Sequence, residues 1–148
     1  MFHRILYVSQ ANKSQELSLQ ELSASAENQN RKFSITGYMY FNGEFFIQYL
    51  EGPRSALDQL MTNIRADARH SILYEKPLPP QSLRMFNDWF MRDLTQESFH
   101  DKSLKNLLDR GINRLSRPAT SENAFSLSFA ESHIHNVARF KDSNSMAS

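Results

Sequence analysis

The stretch Ser34–Pro53, SITGYMYFNGEFFIQYLEGP, decides the fold. Two runs of aromatic and aliphatic residues flank Asn42-Gly43, a dipeptide suited to the positive φ angles of a two-residue hairpin turn. The spacing predicts strands over 34–41 and 44–51. Gly52-Pro53 then opens a helix, with proline in the tolerated first turn. Leu57, Leu60, Met61 and Ile64 give that helix one apolar face, ending near Asp67. The return strand is apolar on both faces, with Phe46 and Leu50 on one and Phe45, Ile47 and Tyr49 on the other. Gln48 interrupts it. A buried amide without partners costs on the order of 1–3 kcal/mol, so partners are expected. Taken alone, Gln48 also fits a core glutamine bonded to backbone.

Outward from this hairpin, RILYVS (4–9) reads as a strand, followed by the polar loop QANKSQE. Ser18 and Glu21 fit a capping box for a helix from about Leu19 to Asn28. Its stripe runs through Leu22 and Ala26 and is continued by Asn30. Ile72–Leu78 is a weaker strand, closed by Pro77, Pro79 and Pro80. Leu83–Leu94 is a last strand rich in aromatics. The order is that of an α+β, ferredoxin-like β-α-β-β-α-β fold with one extra strand.

Such a sheet, apolar on both faces, needs a second cover. Helices over 103–115, with Leu104, Leu107, Leu108, Ile112 and Leu115, and over 124–140 can supply it, joined by the linker-like RPATSEN. The chain thus divides into a domain over 1–95, a helical extension over 96–140 and a tail over 141–148 expected to be disordered.

Composition narrows function. A net charge of +1 gives no electrostatic reason to expect nucleic acid or anionic membrane as partner. The absence of cysteine excludes disulfides, thiolate metal sites and cysteine nucleophiles. MFHRILYVSQ is too short and polar for a signal peptide, and no apolar run approaches the ~18 residues of a membrane span; a cytoplasmic protein is expected. His3, His70, His100, His133 and His135 show no metal-ligand spacing, and no nucleotide loop, nucleophile elbow or acid/base pair is present. Neither a metal nor enzymatic catalysis is expected.

What remains is a set of polar residues in apolar surroundings. Tyr7 lies in the first strand, Asn30 at the end of the first helix and Gln48 in the third strand. Trp89 and Met91 are two apart on the last strand, which predicts a shared face. Each has a bland reading: a core tyrosine, a helix C-cap, a core glutamine, core packing.

Together, however, RILYVSQA, NRKFSITG, FFIQYLEGP, DARH and FNDWFM, in this order over residues 3 to 93, resemble the BLUF domain, the blue-light sensor that uses flavin. The resemblance implies a noncovalently bound flavin between the two helices: FAD, with FMN or riboflavin as alternatives. It implies that Tyr7 is the photoactive tyrosine and Gln48 the switching glutamine between tyrosine and flavin. Asn30 would bond the pyrimidine edge, and Leu22 and Ile64 would sandwich the ring. Asp67, Arg69 and His70 would lie near the ribityl and phosphate region. Trp89 and Met91 would relay the signal to the C-terminal helices. Relatives often carry arginine where this chain has Asn63, so one flavin contact is not carried over.

A tyrosine neutral at ordinary pH can give up an electron and a proton, and an amide can reverse its donor and acceptor pattern. The chain leaves no length for an output domain, so a stand-alone receptor acting through an unidentified partner protein is expected. Homo-oligomers, dimers first, are expected from its remaining apolar surface. The competing readings are a flavin-free ferredoxin-like regulatory or binding module and a small flavin enzyme.

Overall fold

The computed structural model describes residues 1–12, 19–116 and 123–145. Five strands form one sheet in the order β4-β1-β3-β2-β5. They are β1 (Phe2–Ala11), β2 (Thr36–Phe41), β3 (Phe45–Gly52), β4 (His70–Gln81) and β5 (Phe90–Asp93). The first four pair antiparallel and β5 pairs parallel to β2. With α1 (Leu19–Lys32) and α2 (Arg54–Ala66), this is the expected split βαβ arrangement plus one strand.

Alternation along the strands divides the interior into two cores. Ile5, Tyr7, Met39, Phe46 and Leu50 face α1 and α2, where Leu22, Ala26, Leu57, Leu60, Met61 and Ile64 meet them. Leu6, Val8, Tyr38, Tyr40, Ile47 and Tyr49 face the other way. That second face is covered by α4 (Lys102–Leu115) and α5 (Asn123–Ser145), through Leu104, Leu108, Ile112, Leu115, Ala130, Ile134 and Val137. A short α3 (Thr95–His100), not expected from the sequence, joins β5 to α4.

Several local expectations change. Asn42 donates its backbone N–H to Phe45 O at 3.1 Å, and Gly43, with φ +105°, is the turn residue with positive φ. The tight turn is therefore centred on Gly43-Glu44, and Asn42 Oδ1 accepts from the N–H groups of Glu44 and Phe45. Ser34 stands outside β2 with φ +57°. It closes α1, because Ile35 N–H reaches Asn30 O at 2.9 Å, the bond of a Schellman motif. Helix α1 thus runs to Lys32 rather than Asn28, and Asn30 is inside it rather than its cap.

Strand β4 does not stop at the prolines but continues through Pro77, Pro79 and Pro80 to Gln81. It is an edge strand, where missing donors are tolerated. The last strand is much shorter than 83–94, and Trp89 precedes it. The expected tail begins as helix, since α5 extends to Ser145. The proposed cap residue Ser18 and most of the linker at 117–123 lie outside the described residues.

Trp89 and Met91 do not share a face. Gly37 pairs with Phe90 and Tyr38 with Arg92, so Met91 is an extra residue on β5. Its φ is +83°, in the left-handed region that costs a non-glycine residue roughly 1–3 kcal/mol. This bulge re-aims the side chain. Met91 joins the α1/α2 core, while Trp89 packs on the opposite one. On its other side β2 lies so close to β3 at Gly37 that a Cβ there would sit 1.8 Å from Tyr49 O.

Candidate functional site

A cavity of about 270 Å³ lies between α1, α2 and the sheet. Its walls come from the two helices. Leu22 and Ala26 line it from α1, and Leu60 and Ile64 from α2. Its floor is Tyr7, Met39, Phe46 and Gln48, and Asn30, Asp67, Arg69, His70 and Met91 complete the lining. Nine of the ten residues singled out in the sequence therefore meet in one place; Trp89 is on the far side of the sheet.

Register places the central pair. Tyr7 is directly opposite Gln48 across β1 and β3, and Met39 is opposite Gln48 across β2 and β3. Tyr7 is fully buried, and its hydroxyl has no partner among the described residues. Burial, with the carboxylates of Asp67 and Glu75 adding to it, pushes its phenol well above the usual range, so it stays neutral. Asn30 is 1% exposed and its Nδ2 also lacks a partner among the described residues. Two buried polar atoms left unpaired in one cavity lose on the order of 1–3 kcal/mol each unless a bound group completes them.

The cavity's end at Asp67–His70 is ordered by charge and by a histidine clamp. Arg69 Nη2 donates to Asp67 Oδ2 at 2.6 Å, and Arg69 N–H to Asp67 Oδ1 at 3.0 Å. Bonding to this guanidinium holds the Asp67 carboxyl below its ordinary value. His70 Nε2 lies 3.1 Å from Ile64 O, and its Nδ1 2.8 Å from Ser9 Oγ. A carbonyl only accepts, so Nε2 carries the hydrogen, and in the neutral ring Nδ1 accepts from Ser9. His70 thereby ties β1 and β4 to the end of α2, fixing the wall residue Ile64. Both its ring nitrogens are engaged with protein, so it serves as a wall rather than a free donor.

Flat apolar walls facing each other, with amides and a hydroxyl at the rim, suit a planar heteroaromatic ring with polar edges. The flavin implied by the sequence fits this donor set. Met39, Phe46, Ser25, Gln29 and Leu60 also line the cavity and were not singled out from sequence. Phase could have found them: Phe46 shares the strand face of Gln48, and Ser25 and Gln29 border the stripe of Leu22 and Ala26. Asn63 lines the cavity too, its Oδ1 accepting from Gln59 Nε2 at 3.3 Å.

Beyond the cavity, Glu51 is fully buried. Its carboxylate accepts from Thr36 Oγ1 and Tyr49 Oη, each at 2.9 Å, and from the N–H groups of Met85 (3.0 Å) and Phe86 (2.8 Å). It anchors the connection that leads to Trp89 and β5.

Comparison with known proteins agrees with this geometry. The family model for BLUF, sensors of blue-light using FAD, matches residues 2–92. The chain is 32% identical over 98 residues to photoactivated adenylate cyclase subunit beta of Euglena gracilis, a match covering 64% of this chain and 11% of that protein. It therefore spans only a small part of that relative. The solved dark-state structure of the BLUF protein BlrB aligns with a TM-score of 0.65 at 25% identity, over 93% of this chain and 96% of that one. BlsA in its photo-activated state aligns with a TM-score of 0.60 at 26% identity, over 86% and 93%. No helix among the described residues is long and apolar enough to cross a membrane. With its split βαβ sheet, its cavity between two helices and a family match over most of its length, the chain belongs to the BLUF family of flavin-binding blue-light sensors.

Proposed function

We propose that the flavin is FAD and that Tyr7 and Gln48 convert its excitation into a lasting change of hydrogen bonding. The observation that carries this reading is the pair of buried, unpartnered polar atoms, Tyr7 Oη and Asn30 Nδ2, lining the same cavity as Gln48. When bound, the flavin supplies absorption of blue light and an excited ring that accepts an electron. Leu22 and Ile64 would hold the ring from above and below, and Asn30 would bond its polar edge. Arg69, tethered by Asp67, would place positive charge at the phosphate end.

Tyr7, neutral and shielded from water, would give up an electron and its hydroxyl proton together and then recover both. Gln48, its cross-strand neighbour, would reverse its donor and acceptor pattern meanwhile and keep the reversed form. The chain itself would catalyse nothing. It would pass the changed state through Met91 and Trp89 to the C-terminal helices, and so to a partner protein, with homodimers as its working assembly.

A dark-minus-light absorption spectrum of purified protein tests this, together with chromatography of the heat-released flavin. A red-shifted lit spectrum and FAD are expected, and Tyr7→Phe should bind flavin without the shift. A normal shift in Tyr7→Phe would falsify the role given to Tyr7. Protein that remains colourless after addition of flavin would instead favour a flavin-free regulatory module.

A further inference from the structure

Helix α5 is fastened to the sensor at two points of contrasting character. Near its middle, Glu131 Oε1 and Oε2 accept from Arg4 Nη2 at 2.5 Å and Nη1 at 3.2 Å. The Arg4 side chain is 1% exposed and its Nε also donates to Pro79 O at 2.9 Å. This fastening is built into β1. Near the helix end, Lys141 Nζ lies 2.8 Å from Asp88 Oδ1, and the Asp88 side chain is 74% exposed. The same ammonium stands 5.6 Å from the centre of the Trp89 ring, which stacks on Phe86 at 5.4 Å.

The residues beneath this second fastening belong to the β4–β5 connection. Glu51 grips one end of it at Met85 and Phe86. The other end runs into Met91, which is unpaired in the β2–β5 ladder, carries φ +83° and lines the flavin cavity. A shift that relaxes Met91 therefore acts on a short lever held at its far end, and Asp88 and Trp89 are on that lever. Arg4 meets the connection at its held end, where Nη1 reaches Met85 Sδ at 4.0 Å, and its ion pair with Glu131 lies off the lever.

We propose that the Lys141 contact with Asp88 and Trp89 is the light-released fastening of α5, and that the Arg4–Glu131 pair is the pivot that stays. In the lit state the last turns of α5 would come free and uncover Ala138 and Phe140, now packed against the second core. This rests on the relay through Met91 and Trp89 proposed above.

Hydrogen exchange on the flavin-loaded full chain tests it, in darkness and under continuous blue light, with the flavin spectrum recorded on the same samples. Light is expected to raise exchange over 137–145 by roughly three- to ten-fold, the range of one partly exposed ion pair with a cation–π contact, and to leave 128–134 unchanged. Lys141→Met, which keeps the packed stem, and Asp88→Asn should show that raised exchange already in darkness, with the red shift intact. Combining Asp88→Lys with Lys141→Asp should restore dark protection. A red shift with no response at 137–145, or single variants that keep wild-type dark exchange, would overturn the release proposal while leaving the sensor reading standing. Absence of any red shift in the wild type would overturn the sensor mechanism and with it the release.

Discussion

Gln48 and Glu51 are three residues apart on β3 and face opposite cores, the first lining the cavity between α1 and α2 and the second buried beneath the β4–β5 connection. One strand thus carries both the residue proposed to record light and the residue that anchors the segment leading to Trp89. Replacing Glu51 by alanine strands four donors, two of them backbone N–H groups. A loss on the order of 4 kcal/mol is expected, read as a lowered urea midpoint of the apoprotein. A midpoint unchanged from wild type would show that water satisfies these donors.

The role proposed for Asn30 would come at a cost in stability. Its Nδ2 is buried without a partner among the described residues, so Asn30→Leu is expected to raise apoprotein stability by about 1 kcal/mol. The same change should weaken flavin binding at least ~10-fold, because the ring edge loses its directional contact. Thermal unfolding without flavin and a fluorescence titration with FAD separate the two effects. A variant that is destabilised yet binds normally would contradict both.

Ser34 holds φ +57° at the end of α1, where the Schellman motif favours glycine. Ser34→Gly is expected to stabilise by about 0.5–1 kcal/mol and to leave the flavin spectrum unaltered. The chemical-denaturation midpoint is the measurement.

His133 gives a pH dependence with a definite sign. Its ring is 2% exposed, both nitrogens lack partners among the described residues, and it lies against Phe129 and Tyr38. Burial lowers its pKa from 6.5 to about 4. The unfolded chain therefore binds a proton near pH 6.5 that the native ring refuses until about pH 4. Stability is full above pH 6.5 and falls as pH drops through this window, by about 2 kcal/mol between pH 7.5 and 5. Tyr38, the titratable ring beside it, is held well above its usual range by burial and remains neutral throughout. His133→Leu should remove this part of the pH slope; an undiminished slope in the variant would assign it to other groups.

The parts of the fold set by local pattern were legible in the sequence: β1, the hairpin, α1, α2, α4 and the two-faced sheet. Tyr7, Gln48, Leu22 and Ile64 were grouped at one site by the family resemblance, since by pattern alone each reads as core packing. The remainder depended on neighbours. Proline in β4 is acceptable only because that strand is an edge, which no window of sequence reveals. Met91 carries no glycine-like signal for its positive φ, so period two placed it beside Trp89. Glu51 is, like Gln48, a polar group in an apolar strand, but the sequence reading did not single it out. Two of its four partners are backbone groups more than thirty positions away.

The prolines of β4 also bear on assembly. A sheet edge invites a second chain to continue the ladder, but Pro77, Pro79 and Pro80 thin out the backbone donors along this strand. At the opposite margin β5 offers a template of only four residues. Copies of this chain that associate are thereby steered away from sheet extension and toward contacts between helices, the layer to which the light signal is proposed to travel.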